Sequence, residues 1–187
     1  MQDAPGLAEI ARQWVFDPFW VAVLAAGMAA YAIAFRRSRR GSFVHPSSRL
    51  VLFVAGVAAI AVAVFSPLAH YGNELLWANF TGFLLLTMIA PPLLLLSAPL
   101  TLAFRASGPR RRKVLRGIYR SKLVTILTFP AASWLLFAVV TYVWQFTSLT
   151  DDAAAHALLR TFQQFTLLLV GIMFWMPGLA ADPVRWR

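Results

Sequence analysis

The sequence predicts an all-α polytopic membrane helix bundle of about five transmembrane helices, with the N-terminus outside and the C-terminus cytoplasmic. Three observations carry that expectation. Of the 187 residues, 60% are hydrophobic and only 13% are charged. The apolar residues gather in blocks of about twenty, the length that spans a hydrocarbon core, instead of recurring at helical or strand periods. The basic residues behind the net charge of +10 are confined to short connections between those blocks.

Residues 1–16 read as an N-terminal interfacial segment. Leu7, Ile10, Ala11, Trp14 and Val15 fall three and four apart, which predicts a short surface helix anchored by Trp14. The segment carries Asp3 and Glu9 with a single arginine, Arg12, and no small-residue cleavage site follows a short apolar core. The first apolar block is therefore expected to be a retained helix and not a removable signal. Residues 17–178 form the five-helix transmembrane domain and 179–187 a cytoplasmic tail.

Asp17-Pro18 opens the first span, Phe19 to Phe35, which is expected to end at Arg36, Arg37, Arg39 and Arg40. A polar loop with His45-Pro46 leads to the second span, Leu50 to about Ala69. Gly56, Ala58, Ala59, Ala61 and Ala63 give that helix a small-residue face for close helix packing, and Ser66-Pro67 kinks its end. The connection from His70 to Ala78 carries Glu74, with Tyr71 and Trp77 suited to an interfacial belt. The third span begins near Asn79 and ends near Phe104, with no charge from Leu75 to Phe104. Pro91, Pro92 and Pro99 break it, and the backbone groups they free need partners inside the bundle.

The most basic segment follows: Arg105, Arg110, Arg111, Arg112, Lys113, Arg116, Arg120 and Lys122. Near an anionic leaflet each basic residue gains about 1 kcal/mol, so Arg110, Arg111, Arg112, Lys113 and Arg116 are assigned to lipid headgroups. The fourth span runs from about Val124 to Phe146, and the connection Thr147 to His156 holds Asp151 and Asp152. The fifth span, Ala157 to Met176, closes at Pro177-Gly178. Fifteen of the seventeen Lys and Arg lie in the loops 36–49 and 105–122 and in the tail, against six of the seven carboxylates on the other side. That asymmetry sets the orientation, and the bacterial inner membrane is the expected location.

Charge placed this way reflects topology and not a nucleic-acid surface. Cysteine is absent, which excludes disulfides, thiolate metal sites and cysteine nucleophiles within these residues. There are no paired intramembrane carboxylates, no Gly-rich phosphate loop and no Ser-His-Asp order, so an enzyme is not expected. A transporter has little support without an intramembrane carboxylate or an inverted repeat.

At the second and third spans the chain resembles a known family. Phe65-Ser66-Pro67-Leu68, Ala90-Pro91-Pro92-Leu93-Leu94 and Ala98-Pro99-Leu100 are similar to the cytochrome c oxidase assembly factors of the CtaG type, membrane proteins implicated in copper supply. Asp17-Pro18, Trp134-Leu135-Leu136-Phe137, Gly171-Ile172-Met173-Phe174-Trp175-Met176-Pro177 and Asp182-Pro183 extend the resemblance over most of residues 17–183. The family pattern implies histidines at positions that here read Asn79 and Phe83, then Gln145, then Arg160 and Gln164. Amides are weak ligands for copper, phenylalanine is none, and an arginine brings positive charge. The chain also ends soon after its fifth span, where the family pattern continues, so a shortened member lacking the family histidines is expected.

The resemblance therefore implies an accessory or structural subunit of a haem-copper oxidase or related respiratory complex, with no metal site and no cofactor of its own. Its partners would be membrane lipids and oxidase subunits, not nucleic acid. The alternative is an assembly factor assisting copper insertion, with His70 and His156 on the outer side as weak metal candidates beside methionines or Glu74. Met28, Met88, Met173 and Met176 show no Met-x-x-Met spacing and read as gap-filling packing. Arg160 is expected either to pair locally with Asp151 or Asp152, or to turn inward among Asn79, Gln145 and Gln164 as a polar network.

Overall fold

A computed structural model describes residues 13–39, 46–72, 75–106, 117 and 129–179. Every regular element among them is a helix: α1 (Pro18–Arg39), α2 (Ser47–Phe65), α3 (Pro67–Tyr71), α4 (Leu76–Leu84), a π-helix (Leu85–Ile89), α5 (Ala90–Leu96), α6 (Pro99–Ala106), α7 (Pro130–Phe146), α8 (Leu149–Ala155) and α9 (Ala157–Leu179). Four described stretches are long and apolar enough to cross a membrane: Pro18–Ser38, Ser47–Phe65, Leu76–Phe104 and Ala157–Leu179. Pro130–Phe146 is a shorter apolar helix; the expected start of that span, from Val124, lies outside the described residues. The chain is a polytopic membrane protein.

Several boundaries differ from those expected. Residues 13–16 are not helical; at the end of α2 the Phe65 carbonyl accepts from the Val15 N–H at 3.0 Å, which holds this segment against the bundle. The rest of the interfacial segment lies outside the described residues. α1 runs on through Arg36 and Arg37 to Arg39, since arginine is a good helix former and only the lipid boundary, not the helix, stops at the charges. α9 likewise continues through Pro177 to Leu179. Tyr71, expected at the interface, is buried at the end of α3, whereas Trp77 is exposed. The stretch from Thr147 to His156 is largely the short helix α8.

The Ser66 break is capped locally: Ser66 is extended, at φ −74° and ψ 170°, and its Oγ accepts from the Leu68 N–H at 3.3 Å. The small face of α2 is used as its composition implies. Gly56 meets Leu94 so closely that a Cβ there would lie 2.9 Å from Leu94 Cδ2 and 3.2 Å from its backbone nitrogen. Ala59 and Ala63 join Trp20, Ile60, Val64, Leu86, Ala90 and Leu168 in the central core, whereas Ala58 faces out. A second cluster of Tyr31, Phe35, Phe53 and Leu102 fixes α6 against α1 and α2, with the Tyr31 and Phe53 rings stacked at 3.9 Å. A third, Trp144, Ala153 and Leu167, binds α7 and α8 to α9.

Candidate functional site: a polar cavity beside the proline-broken helix

The break in the third span has a definite chemistry. Pro91 and Pro92 have no N–H, so the Thr87 carbonyl loses its partner whether the local pattern is i+4 or i+5. The chain answers by widening to a π-turn over Leu85–Ile89, in which the Ala90 N–H reaches the Leu85 carbonyl. The orphaned Thr87 carbonyl then takes its hydrogen bond from another helix, where Trp175 Nε1 donates to it at 3.1 Å. Gly171, one turn earlier on α9, allows the approach: a Cβ there would lie 3.0 Å from Pro91 Cγ and Thr87 Cα, and 3.1 Å from the Thr87 oxygen. Thr87 is itself fully buried, its hydroxyl donating to the Phe83 carbonyl at 2.7 Å.

The helices joined by this clasp border a polar cavity that is lined from α4, α7 and α9. About 70 Å³ in volume, it is lined by Asn79, Phe83, Gln145, Arg160 and Gln164, together with Gln163 and a rim of small and apolar residues that includes Gly72. All five positions singled out in the sequence thus border one space. Gln164 is held by Trp20, fully buried at the start of α1, whose Nε1 donates to Gln164 Oε1 at 2.8 Å. Behind Gln145, Trp144 Nε1 donates to Thr166 Oγ1 at 2.9 Å and locks α7 to α9. Beside Arg160, Thr161 Oγ1 donates to Asp17 Oδ2 at 2.6 Å, while Asp17 Oδ1 accepts from the Phe19 N–H at 2.9 Å and caps α1.

Among the described residues no direct hydrogen bond joins Asn79, Gln145 and Arg160 to one another, and no carboxylate side chain pairs with Arg160. The space exceeds the roughly 10–15 Å³ that one water needs, and its polar lining offers water several partners. The lining does not fit copper: amide oxygens, a phenyl ring and a guanidinium provide no imidazole, thiolate or carboxylate. His70, at the end of α3, and His156, between α8 and α9, are both exposed; His156 Nδ1 lies 3.1 Å from the Asp152 carbonyl. No group of three His, Cys, Asp or Glu suited to a metal occurs among the described residues. Glu74, the side chain of Asp151 and the headgroup candidates Arg110, Arg111, Arg112, Lys113 and Arg116 lie outside them.

Sequence reasoning missed Trp20, Gln163 and the Trp175–Thr87 bond. The available signal was chemical: an indole buried in a span needs an acceptor, and a proline pair leaves a carbonyl that needs a donor.

Fold and site together define a polytopic membrane bundle built round a proline-broken third span, with a polar cavity at one end. The chain belongs to the cytochrome c oxidase caa3 assembly factor family, whose model matches residues 29–187. It is 28% identical to uncharacterized proteins of Mycobacterium bovis, Mycobacterium tuberculosis and Mycobacterium leprae, in alignments covering 96% of this chain and 28% of each relative. The chain thus spans little more than a quarter of the length of these relatives. No solved structure matches it.

Proposed function

We propose that the chain is a non-catalytic component of cytochrome c oxidase biogenesis or architecture: a bundle of the bacterial inner membrane that docks on oxidase subunits through its helix faces and holds no copper of its own. Membership of an oxidase assembly family supports the assembly context. The observation that carries the finer reading is the contrast between two halves of one site. The Trp175–Thr87 bond ties the helix that carries Ala90-Pro91-Pro92 to the Gly171–Pro177 stretch of α9, two of the segments that carry the resemblance, while the cavity beside it is lined by Asn79, Gln145, Arg160 and Gln164. Packing surfaces and metal ligands can be lost independently, so docking can outlast a metal site.

Co-purification in a mild detergent tests this. Oxidase core subunits at fixed stoichiometry with the chain are expected; recovery with no oxidase subunit contradicts the proposal.

A second reading, transient copper handling during assembly, is favoured by one placement. Ala69 and Ala157, each next to a histidine in the chain, line one apolar cavity of about 480 Å³ beside the polar one. Copper retained after loading, and lost on His70→Ala with His156→Ala, would support that reading over the first.

A further inference from the structure

A second cavity, about 480 Å³, lies between the segment entering α1 and the first turns of α9. That volume sits within the roughly 300–1,000 Å³ of small-molecule sites. Phe16, Phe19, Phe162 and Phe165 give it an aromatic wall, and it is overwhelmingly apolar. Phe16 and Leu158 are 78% and 87% exposed, so in a bilayer the cavity opens sideways to lipid at the ends of two spans. Ala69, Arg160 and Gln164 border both this cavity and the polar one. A cation therefore stands at the junction of a polar niche and an apolar slot.

The missing partner of Arg160 indicates what fills it. An arginine at the edge of hydrocarbon needs a counter-charge or water. Asp17 is the only carboxylate among the lining residues, and its two oxygens already accept from the Phe19 N–H and the Thr161 hydroxyl. Arg160 has no ion pair with it, and its guanidinium fork matches a phosphate in geometry as well as charge. We propose that this double cavity binds one anionic phospholipid, with an acyl chain in the Phe-lined slot and the phosphate on Arg160 at the mouth of the polar niche.

The test uses the full chain, purified and delipidated in neutral detergent and offered phosphatidylglycerol and phosphatidylcholine of identical acyl chains. Native mass spectrometry reads the first lipid retained per chain. The wild type is expected to favour phosphatidylglycerol about fivefold, the ratio one basic residue contributes beside an anionic headgroup. Arg160→Gln should bring the ratio close to one, and Arg160→Lys should leave an intermediate preference. Ala157→Trp, which fills the slot and leaves Arg160 in place, should lower retention of both lipids. The basic 105–122 loop is unchanged in all variants, so a preference arising there persists in each. Equal retention of the two lipids by the wild type, or a full preference in both Arg160→Gln and Ala157→Trp, overturns the proposal.

Discussion

Trp175 on α9 donates its indole N–H to the Thr87 carbonyl at 3.1 Å, the carbonyl that Pro91 and Pro92 leave without a backbone partner. A local defect in one span is thus repaired by a side chain nearly ninety positions along the chain, and the repair fixes how α4, α5 and α9 meet. The polar cavity follows from that geometry.

Removing the donor should expose the defect. Trp175→Phe keeps an aromatic ring but removes the pyrrole half of the indole with its N–H, leaving the Thr87 oxygen unpaired in a low-dielectric interior, a cost of about 1 kcal/mol for the bond with a further loss for the packing. The midpoint of unfolding in detergent should fall accordingly. An unchanged midpoint would mean the bond carries no stability.

The same bond predicts a coupling. Pro91→Ala returns an N–H at the position that could satisfy Thr87 locally, so Trp175→Phe should cost less in that background. A double-mutant cycle on the unfolding midpoints is expected to give an interaction energy of about 0.5–1 kcal/mol, and strict additivity would contradict the account.

Gly171 and Gly27 make a matched pair. A Cβ at Gly171 would press on the Thr87 backbone and the Pro91 ring, whereas at Gly27 it meets nothing within 4 Å. Gly171→Ala should therefore destabilise by about 1–3 kcal/mol, because neither a proline ring nor a packed backbone can give way. Gly27→Ala should be neutral or stabilising by up to about 1 kcal/mol through helix propensity. Thermal denaturation of the two variants side by side reads the difference.

Thr161→Val tests the tie between α1 and α9. It removes the 2.6 Å bond to Asp17 but leaves the Asp17 cap on Phe19. A loss of about 0.5–1.5 kcal/mol is expected, with a larger loss for Asp17→Ala, which removes the cap as well. Equal effects would show that the cap contributes nothing.

Much of this architecture was legible in the sequence, for physical reasons. Span length, the kinks at Ser66-Pro67 and Pro91-Pro92, and the packing face of Gly56 and Ala59 are written in local composition, because a bilayer permits few alternatives. Boundaries set by partners were not. Residues 13–16 are not helical and instead bond through the Val15 N–H to Phe65, and α1 continues past Arg36 and Arg37, the arginines expected to end it. At the site, the resemblance brought Asn79, Phe83, Gln145, Arg160 and Gln164 forward as a set, and they line one cavity. The buried Trp20 that steadies Gln164 carried no sequence signal beyond its need for an acceptor, since tryptophan near a span end equally fits an interfacial belt.

The central claim is that the cavity beside the proline-broken helix, lined by amides, a phenyl ring and a guanidinium, does not hold copper. Copper bound per chain, after loading and desalting, tests it in the wild type and in the N79H/Q145H/R160H/Q164H variant. The account predicts no retained copper in the wild type and stoichiometric copper once imidazoles surround the cavity. Copper retained equally by both proteins would contradict it.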